Sequence, residues 1–375
     1  MFAVSYFRCL IKNNMKDVYC VIMAGGIGSR FWPMSRQGSP KQYLDIMGTG
    51  SSLIQLTYDR LKAISNPDQF MIVTSDDYVG LTKEHLPELS DAQILSEPSR
   101  KNTAPCIAYA AYKLYKKNPD AVMVISPADH IILKEKTFID TLKVAIDHAS
   151  ESNNLVTIGI KPSRPDSGYG YIQFHRENDY GNDQLKKVKT FTEKPSVELA
   201  LQFLKSGDFY WNSGMFVWKA SAIVKAFQEL MPELAELFNE KMDDLNSAAE
   251  TAAIQSIYGE CPNISIDYGI IEKAGNVDVV LGDFGWSDLG TWGSLYEQID
   301  KDEKSNVLVN GTIKTYDTNH SIVMLPSDKL AVVQGLTNYI VIDTEDVLLI
   351  CQKDEEQKIK QFVQDLKDSK LNKFI

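Results

Sequence analysis

The sequence predicts an α/β fold built on a mixed, mainly parallel sheet, followed by a small all-β domain. Three observations lead there. From Tyr19 onward, short β-rich apolar runs alternate with helix-like segments, the rhythm of βαβ units. The runs YCVIMA (Tyr19 to Ala24), FMIVTS (Phe70 to Ser75) and AVMVIS (Ala121 to Ser126) are continuous rather than alternating, as strands covered on both faces are. From about Asn306 the helical periods cease, and SIVMLPSDKLAVVQGLTNYIVIDTEDVLLICQ reads as short strands broken by Asn, Asp and Gly turns.

Between the first strands lie amphipathic stretches, from Ser52 to Ile64 and from Ala104 to Lys117. After Leu155 the segments TIGIKP, YGYIQF and KKVKTFTEKP read as strands joined by turn-rich pieces, and Ala220 to Ile257 reads as helical. This part is expected to be an α/β insertion supplying a second half of a cleft. The final KDEEQKIKQFVQDLKDSK predicts a charged amphipathic helix whose charges form a solvated face. The start, MFAVSYFRCLIKNN, has an apolar run interrupted by Arg8 and no small-residue cleavage site, so it makes a poor signal peptide. Residues 1–14 are read as an unstructured or non-native extension, with Met15 as an alternative start.

Composition narrows the classes. In 375 residues, 44% are hydrophobic and 24% charged, close to globular averages, so disordered, collagen-like and coiled-coil chains are excluded. The net charge of −11 gives no general attraction for nucleic acid or an anionic membrane, so any phosphate site must be built locally. No apolar stretch approaches the roughly 18 residues of a membrane-spanning helix. Cys9, Cys20, Cys106, Cys261 and Cys351 are odd in number, scattered and without CxxC spacing, which fits a reducing cytoplasm.

The segment MAGGIGSRFWPMSRQGSPKQYL, Met23 to Leu44, is a glycine-rich turn directly after a predicted buried strand. Gly25, Gly26 and Gly28 lack Cβ atoms, so backbone N–H groups can close on phosphate oxygens, and Arg30 and Lys41 add positive charge. The dinucleotide fingerprint needs a third Gly or Ala where Phe31 stands, and a P-loop needs Gly-Lys-Ser/Thr, so this is a phosphate loop of another kind. In Ser126-Pro127-Ala128-Asp129-His130, Asp129 falls at the carboxyl end of a sheet strand, where α/β proteins bind ligands. It reads either as a Mg²⁺ ligand or as a cap of the following helix; His130 reads as a structural hydrogen-bonding residue. In Gly285-Trp286-Ser287-Asp288-Leu289-Gly290-Thr291-Trp292, Asp288 is the candidate for a second metal carboxylate, with a helix cap as the alternative and packing as the role of the two tryptophans. Glu97 to Pro105, Phe191 to Pro195 and Trp211 to Met215 could each line a cleft, or supply ordinary turn and cap chemistry.

Taken together, MAGGIGSRFWPMSR…PKQYL, EPSRKNTAP, SPADHII, GYGYI, FTEKP, WNSGMFVW, SIDYGIIEKA and GWSDLGTW resemble the mannose-1-phosphate guanylyltransferases, a branch of the sugar-1-phosphate nucleotidyltransferases. The resemblance spans about Val18 to Lys360. It implies a Rossmann-like nucleotidyltransferase domain over residues 15–300 and a short left-handed β-helix, with the terminal helix, over 301–375. It implies GTP, mannose 1-phosphate and Mg²⁺, with GMP passing to the sugar phosphate to give GDP-mannose and pyrophosphate. Carried over by residue, Ala24, Gly25, Gly26, Gly28 and Ser29 hold the nucleotide, and Arg30 and Lys41 meet its phosphates. Glu97, Asn102, Thr103 and Ala104 face base and ribose. Gly170, Glu193 and Asn212 hold the sugar, and Lys194 its phosphate. Asp129 and Asp288 hold Mg²⁺. The chain stops near Ile375, so the phosphomannose isomerase domain of longer relatives, and its activity, are not expected.

No nucleic acid or membrane partner is expected; a homo-oligomer is, as a hypothesis, compatible with an exposed β-helix edge. Two rivals remain: the same transfer with another nucleotide or sugar, and an inactive sugar-nucleotide sensor, against which Lys41, Asp129, Lys194 and Asp288 argue.

Overall fold

A computed structural model of the chain describes residues 17–177 and 180–375. The expected N-terminal extension, the alternative start at Met15, and Cys9 lie outside the described residues. The chain forms two compact units. One comprises the segment ending at Gly25 with Tyr58–Ala128 and Ile132–Trp286; the other comprises Gly26–Thr57, Asp129–Ile131 and Ser287–Ile375.

The first unit is organised by a nine-stranded sheet. Its strands are β1 (Val18–Met23), β2 (Phe70–Ser75), β3 (Ile94–Glu97), β4 (Val122–Pro127), β5 (Leu155–Ile160), β6 (Gly170–Phe174), β7 (Leu185–Glu193), β8 (Phe209–Lys219) and β9 (Val277–Gly282), in the order β3-β2-β1-β4-β8-β5-β9-β7-β6. The three continuous apolar runs of the sequence become β1, β2 and β4, and every residue of β2 is buried. Parallel pairing joins β1 to β2 and β4, β2 to β3, and β5 to β9. β8 and β7 pair antiparallel with their neighbours.

The segment after Leu155 therefore forms no sheet of its own. β8, eleven residues long, runs between β4 and β5 and makes the later strands an extension of the first four. A bulge between Thr157 and Gly159 of β5 lies opposite Asn212 of β8. Only glycine fits there, because a Cβ on Gly159 would meet Val279 Cγ2 at 2.8 Å. Helix Thr103–Lys117, expected as amphipathic, is instead buried on every face from Ala104 to Leu114, as a helix inside the core cluster that also contains helix Ala220–Leu230 must be.

The second unit has its own core, including Phe31, Trp32, Leu53, Trp292, Leu295, Ile340, Ile359 and Val363. The fully buried Trp292 ring lies 4.8 Å from the Phe31 ring, and its Nε1 donates to Trp32 O at 3.3 Å. Short strands β10 (Val307–Val309), β12 (Ile322–Met324) and β14 (Tyr339–Asp343) pair parallel, so Val307, Ile322 and Ile340 stack in one inward column. β11 (Thr312–Tyr316) pairs parallel with β13 (Leu330–Gln334), and β15 (Leu348–Gln352) turns back antiparallel on β14. Side chains tie the turns: Asn306 Nδ2 donates to Thr318 O at 2.9 Å, and Ser321 N donates to Asn306 Oδ1 at 3.1 Å. The final helix, Ile359–Asp368, buries Ile359 and Val363 and leaves its charges outward, as its amphipathic pattern requires. Among the described residues no helix is long and apolar enough to cross a membrane.

Trp292→Ala removes the largest fully buried side chain of this second core, at an expected cost of about 3–5 kcal/mol. Denaturant unfolding is expected to show an earlier transition; an unchanged curve would remove Trp292 from that role.

Candidate active site

In the second unit, the glycine-rich segment forms a pocket of about 340 Å³ lined by Arg30, Lys41, Asp129, His130, Asp288 and Lys360, among others. Two short 3₁₀ turns, Ser29–Phe31 and Lys41–Tyr43, shape it. The second turn pins the loop: Lys41 N donates to Ile27 O at 3.2 Å and Gln42 Nε2 to Gly26 O at 2.9 Å. These bonds engage the loop's carbonyls, while the amides of Gly26, Gly28 and Ser29 donate to no protein acceptor among the described residues. Such amides are suited to an anion. Gly28 is required twice over. Its φ is +71°, and a Cβ would meet Lys41 Cβ at 2.5 Å.

Lys41 is only 3% exposed. Its ammonium donates to Asp129 Oδ2 at 2.8 Å and to Asp288 O at 2.7 Å, and lies 5.5 Å from the Phe31 ring centroid. Burial raises the Asp129 carboxyl pKa, but Lys41, His130 and hydrogen bonds outweigh this and hold it below the usual range. Asp288 Oδ1 accepts from Gly290 N at 2.9 Å. Neither aspartate caps a helix: Lys134 occupies that place before helix Glu135–Glu151, and Thr291 before helix Trp292–Gln298. Arg30 Nε is buried without a protein partner among the described residues, a donor in need of an acceptor.

The first unit holds two further groups. The first lies at the carboxyl ends of β1, β2 and β3. Ala24 N donates to Val73 O at 2.8 Å, and Thr74 Oγ1 donates to Ala24 O at 3.1 Å. A Cβ on Gly25 would stand 3.2 Å from Glu97 Oε2. Glu97 is buried and accepts from Tyr258 OH at 2.8 Å. Burial pushes its carboxyl up to about 7, only partly opposed by Tyr258 and Arg100. Asn102, with φ 70°, caps helix Thr103–Lys117 through its Oδ1, and Thr103 Oγ1 accepts from Ile266 N at 2.9 Å. The cap reading of that block therefore describes Asn102, while Thr103 is tied to Ile266 and Ala104 is fully buried.

The second group joins β6, β7 and β8. Gly170 pairs with Glu193, whose carboxylate occupies the space of a Gly170 Cβ and forms an ion pair with Lys194. Burial works against the Lys194 ammonium, but Glu193 outweighs it and its pKa is raised. Asn212 Nδ2 donates to Asp267 Oδ1 at 2.7 Å, and Asn212 Oδ1 accepts from Thr157 Oγ1 at 3.0 Å. Burial, then the Glu193 charge, pushes the Asp267 carboxyl up to about 6.

The sequence-named residues thus gather in three groups: the pocket of the second unit, the strand-end group with Glu97, and the group with Asn212. Tyr258, Thr157 and Asp267 escaped sequence reasoning. Asp267 stands inside SIDYGIIEKA, a segment noted only as part of a resemblance, and a lone Asp there carries no chemical signal until Asn212 is seen beside it. Among the described residues no three His, Cys, Asp or Glu converge as a metal cage.

Comparisons with known proteins identify the family. A family model described as nucleotidyl transferase matches residues 19–305, and a MannoseP isomerase/GMP-like beta-helix domain model matches 313–366. A mannose-1-phosphate guanylyltransferase of Escherichia coli is 36% identical over 352 residues, covering 92% of this chain and 75% of that protein. One of Klebsiella pneumoniae is 35% identical over 357 residues, covering 94% and 75%. A solved structure from Thermus thermophilus, described as a mannose-1-phosphate geranyltransferase, matches with a TM-score of 0.84 at 28% identity, covering 94% of this chain and 99% of that one.

Glu97 and Asp267 make stability depend on pH. Unfolded, they ionise near 4.5 and 3.8; folded, they keep their protons to about 7 and about 6. The folded state binds more protons in that window, so stability falls as pH rises from about 4 to about 7. Glu97→Gln is expected to flatten the fall and to gain ~1–3 kcal/mol at pH 8. Thermal melts at pH 5 and pH 8 check this; an unchanged difference between the two would contradict it.

Proposed function

Because the chain belongs to the nucleotidyl transferase family, we propose that it transfers GMP from GTP to mannose 1-phosphate, releasing pyrophosphate and giving GDP-mannose. The observation that carries the reading is the buried Lys41 ammonium, held at Asp129 and Asp288 beside a glycine loop whose Gly26, Gly28 and Ser29 amides donate to no protein acceptor among the described residues. That is a site for polyphosphate, and the names of the relatives supply the guanylyl and mannose identities.

The attacking oxygen belongs to a phosphate monoester, whose second pKa is about 6, so it needs no general base. The difficulty is bringing one anion to the α-phosphate of another. Positioning and positive charge meet it. The amides of Gly26, Gly28 and Ser29 and the Arg30 guanidinium bind the triphosphate, with Ala24 and Gly25 along the strand end. Lys41 moves from Asp129 and Asp288 toward the phosphates, where its charge offsets that developing in the transition state. Glu97 accepts from the N–H groups of guanine, a pattern adenine does not offer, and Asn102, Thr103 and Ala104 shape the wall for base and ribose. Gly170, Glu193 and Asn212 take the sugar, and Lys194 its phosphate.

Asp129 and Asp288 fit a divalent cation. A carboxylate and a carbonyl from them already converge on the Lys41 ammonium, and Mg²⁺ typically takes one or two carboxylates with phosphate oxygens rather than a full protein cage. Bound there, Mg²⁺ supplies further positive charge at the phosphates. We assign residues 15–300 to the nucleotidyltransferase domain and 301–375 to the C-terminal domain. We place the protein in the cytoplasm, in keeping with the free thiols of Cys20, Cys106, Cys261 and Cys351.

Purified protein with Mg²⁺, mannose 1-phosphate and GTP, ATP, UTP or CTP in turn is expected to release pyrophosphate fastest with GTP, and only with the sugar phosphate present. Faster release with another nucleotide moves the base preference; no release with any pair overturns the reading. Lys41→Ala or Asp129→Ala is expected to lower the rate by roughly two orders of magnitude or more. Full activity in either variant removes that residue from its role.

A further inference from the structure

Asp267 opens a π-helical turn, Asp267–Ile271. The turn is held tightly: Ile266 N donates to Thr103 Oγ1, Glu272 N donates to Asp267 O at 2.9 Å, and a Cβ on Gly269 would meet Met231 Sδ at 2.5 Å. The carboxylate therefore has a fixed place. There its Oδ1 accepts from Asn212 Nδ2 at 2.7 Å.

The orientation of Asn212 follows from its other bonds. Its Oδ1 already accepts from Thr157 Oγ1 at 3.0 Å and Gly214 N at 3.3 Å, so the amide nitrogen must face Asp267 and keeps one N–H to spare. Beyond Asn212 and its own backbone amide, no group hydrogen-bonds the Asp267 carboxylate among the described residues.

The bond to Asn212 does not account for a carboxylate. An asparagine at 267 would accept from Asn212 through its carbonyl oxygen and avoid burying a charge beside Glu193. Burial and Glu193 both oppose ionisation, and Lys194 only partly relieves them. A carboxylate kept under such strain serves a partner with hydroxyl donors.

We propose that Asp267 is a specificity residue for the hexose ring. With Glu193 it accepts hydrogen bonds from neighbouring sugar hydroxyls, and through Oδ1 it fixes Asn212 so that the spare N–H donates to a ring substituent. This rests on the assignment of Gly170, Glu193 and Asn212 to the sugar.

The test is steady-state kinetics of the full chain with GTP and either mannose 1-phosphate or glucose 1-phosphate, comparing wild type with Asp267→Asn and Asp267→Ala. Asp267→Asn preserves the Asn212 contact and should fold, which a thermal melt checks. Its KM for mannose 1-phosphate is expected to rise about tenfold or more, as loss of a charge-assisted hydrogen bond does. Its KM for GTP should stay within about twofold, and its preference for mannose 1-phosphate over glucose 1-phosphate should shrink. Asp267→Ala, which also releases Asn212, should show a larger version of the same split. Unchanged KM and unchanged preference in Asp267→Asn overturn the proposal alone, as does an equal loss toward GTP. Wild-type protein that turns over neither sugar phosphate overturns the functional reading, and this proposal with it.

Discussion

The ammonium of Lys41 governs the second unit. Taking a charge of that size out of water has an effective penalty of several kcal/mol, which good geometry and full hydrogen bonding must offset. Here Asp129 Oδ2 and Asp288 O supply the acceptors and the Phe31 ring a favourable face. Neighbouring choices follow from that burial. Gly28 has no Cβ because the Lys41 stem passes where it would be, and the turn after Pro40 aims the stem while its amides hold the loop's carbonyls. Phe31 is fixed in turn by Trp292, so the aromatic core of this unit and its polar pocket are continuous. The proposed function rests on that ammonium, which would exchange its two acceptors for the oxygens of a phosphate.

Much of this was legible in the sequence, and the reason differs by element. β1, β2 and β4 announced themselves because strands buried on both faces must be apolar throughout. The final helix did so because one face is buried and the other is charged. The glycine loop was legible because few other residues tolerate φ near +71° at such close approach. The place of β8 between β4 and β5 was not legible, since antiparallel insertion is decided by which neighbour lacks a partner, and no local pattern records that. For the same reason Asn212 was legible as a polar residue in a constrained setting while its partner Asp267, 55 residues onward, was not.

The acids of the first unit illustrate a division between holding a fold and serving a ligand. Asn102 and Thr103 spend their side chains on a helix cap and a backbone amide, so the nucleotide role proposed for them would come through shape. Glu97 and Asp267 do the reverse. Each accepts from a neutral side chain of another element, Tyr258 or Asn212, and each sits where ionising is unfavourable. Such groups weaken the empty protein and gain most from a donor-bearing guest.

The discontinuity of both units bears on how the chain is made. On the ribosome, β4 emerges long before β8, its antiparallel neighbour, and the sheet is not complete until β9, ending at residue 282, has been synthesised. The loop bearing Lys41 waits longer still, because Asp288 and Trp292 are among the last quarter of the chain. Contacts of such sequence separation are slow to form, and an ammonium without its acceptors has no reason to leave water. The nascent chain therefore carries its glycine loop unformed until residues 288 to 292 have been added.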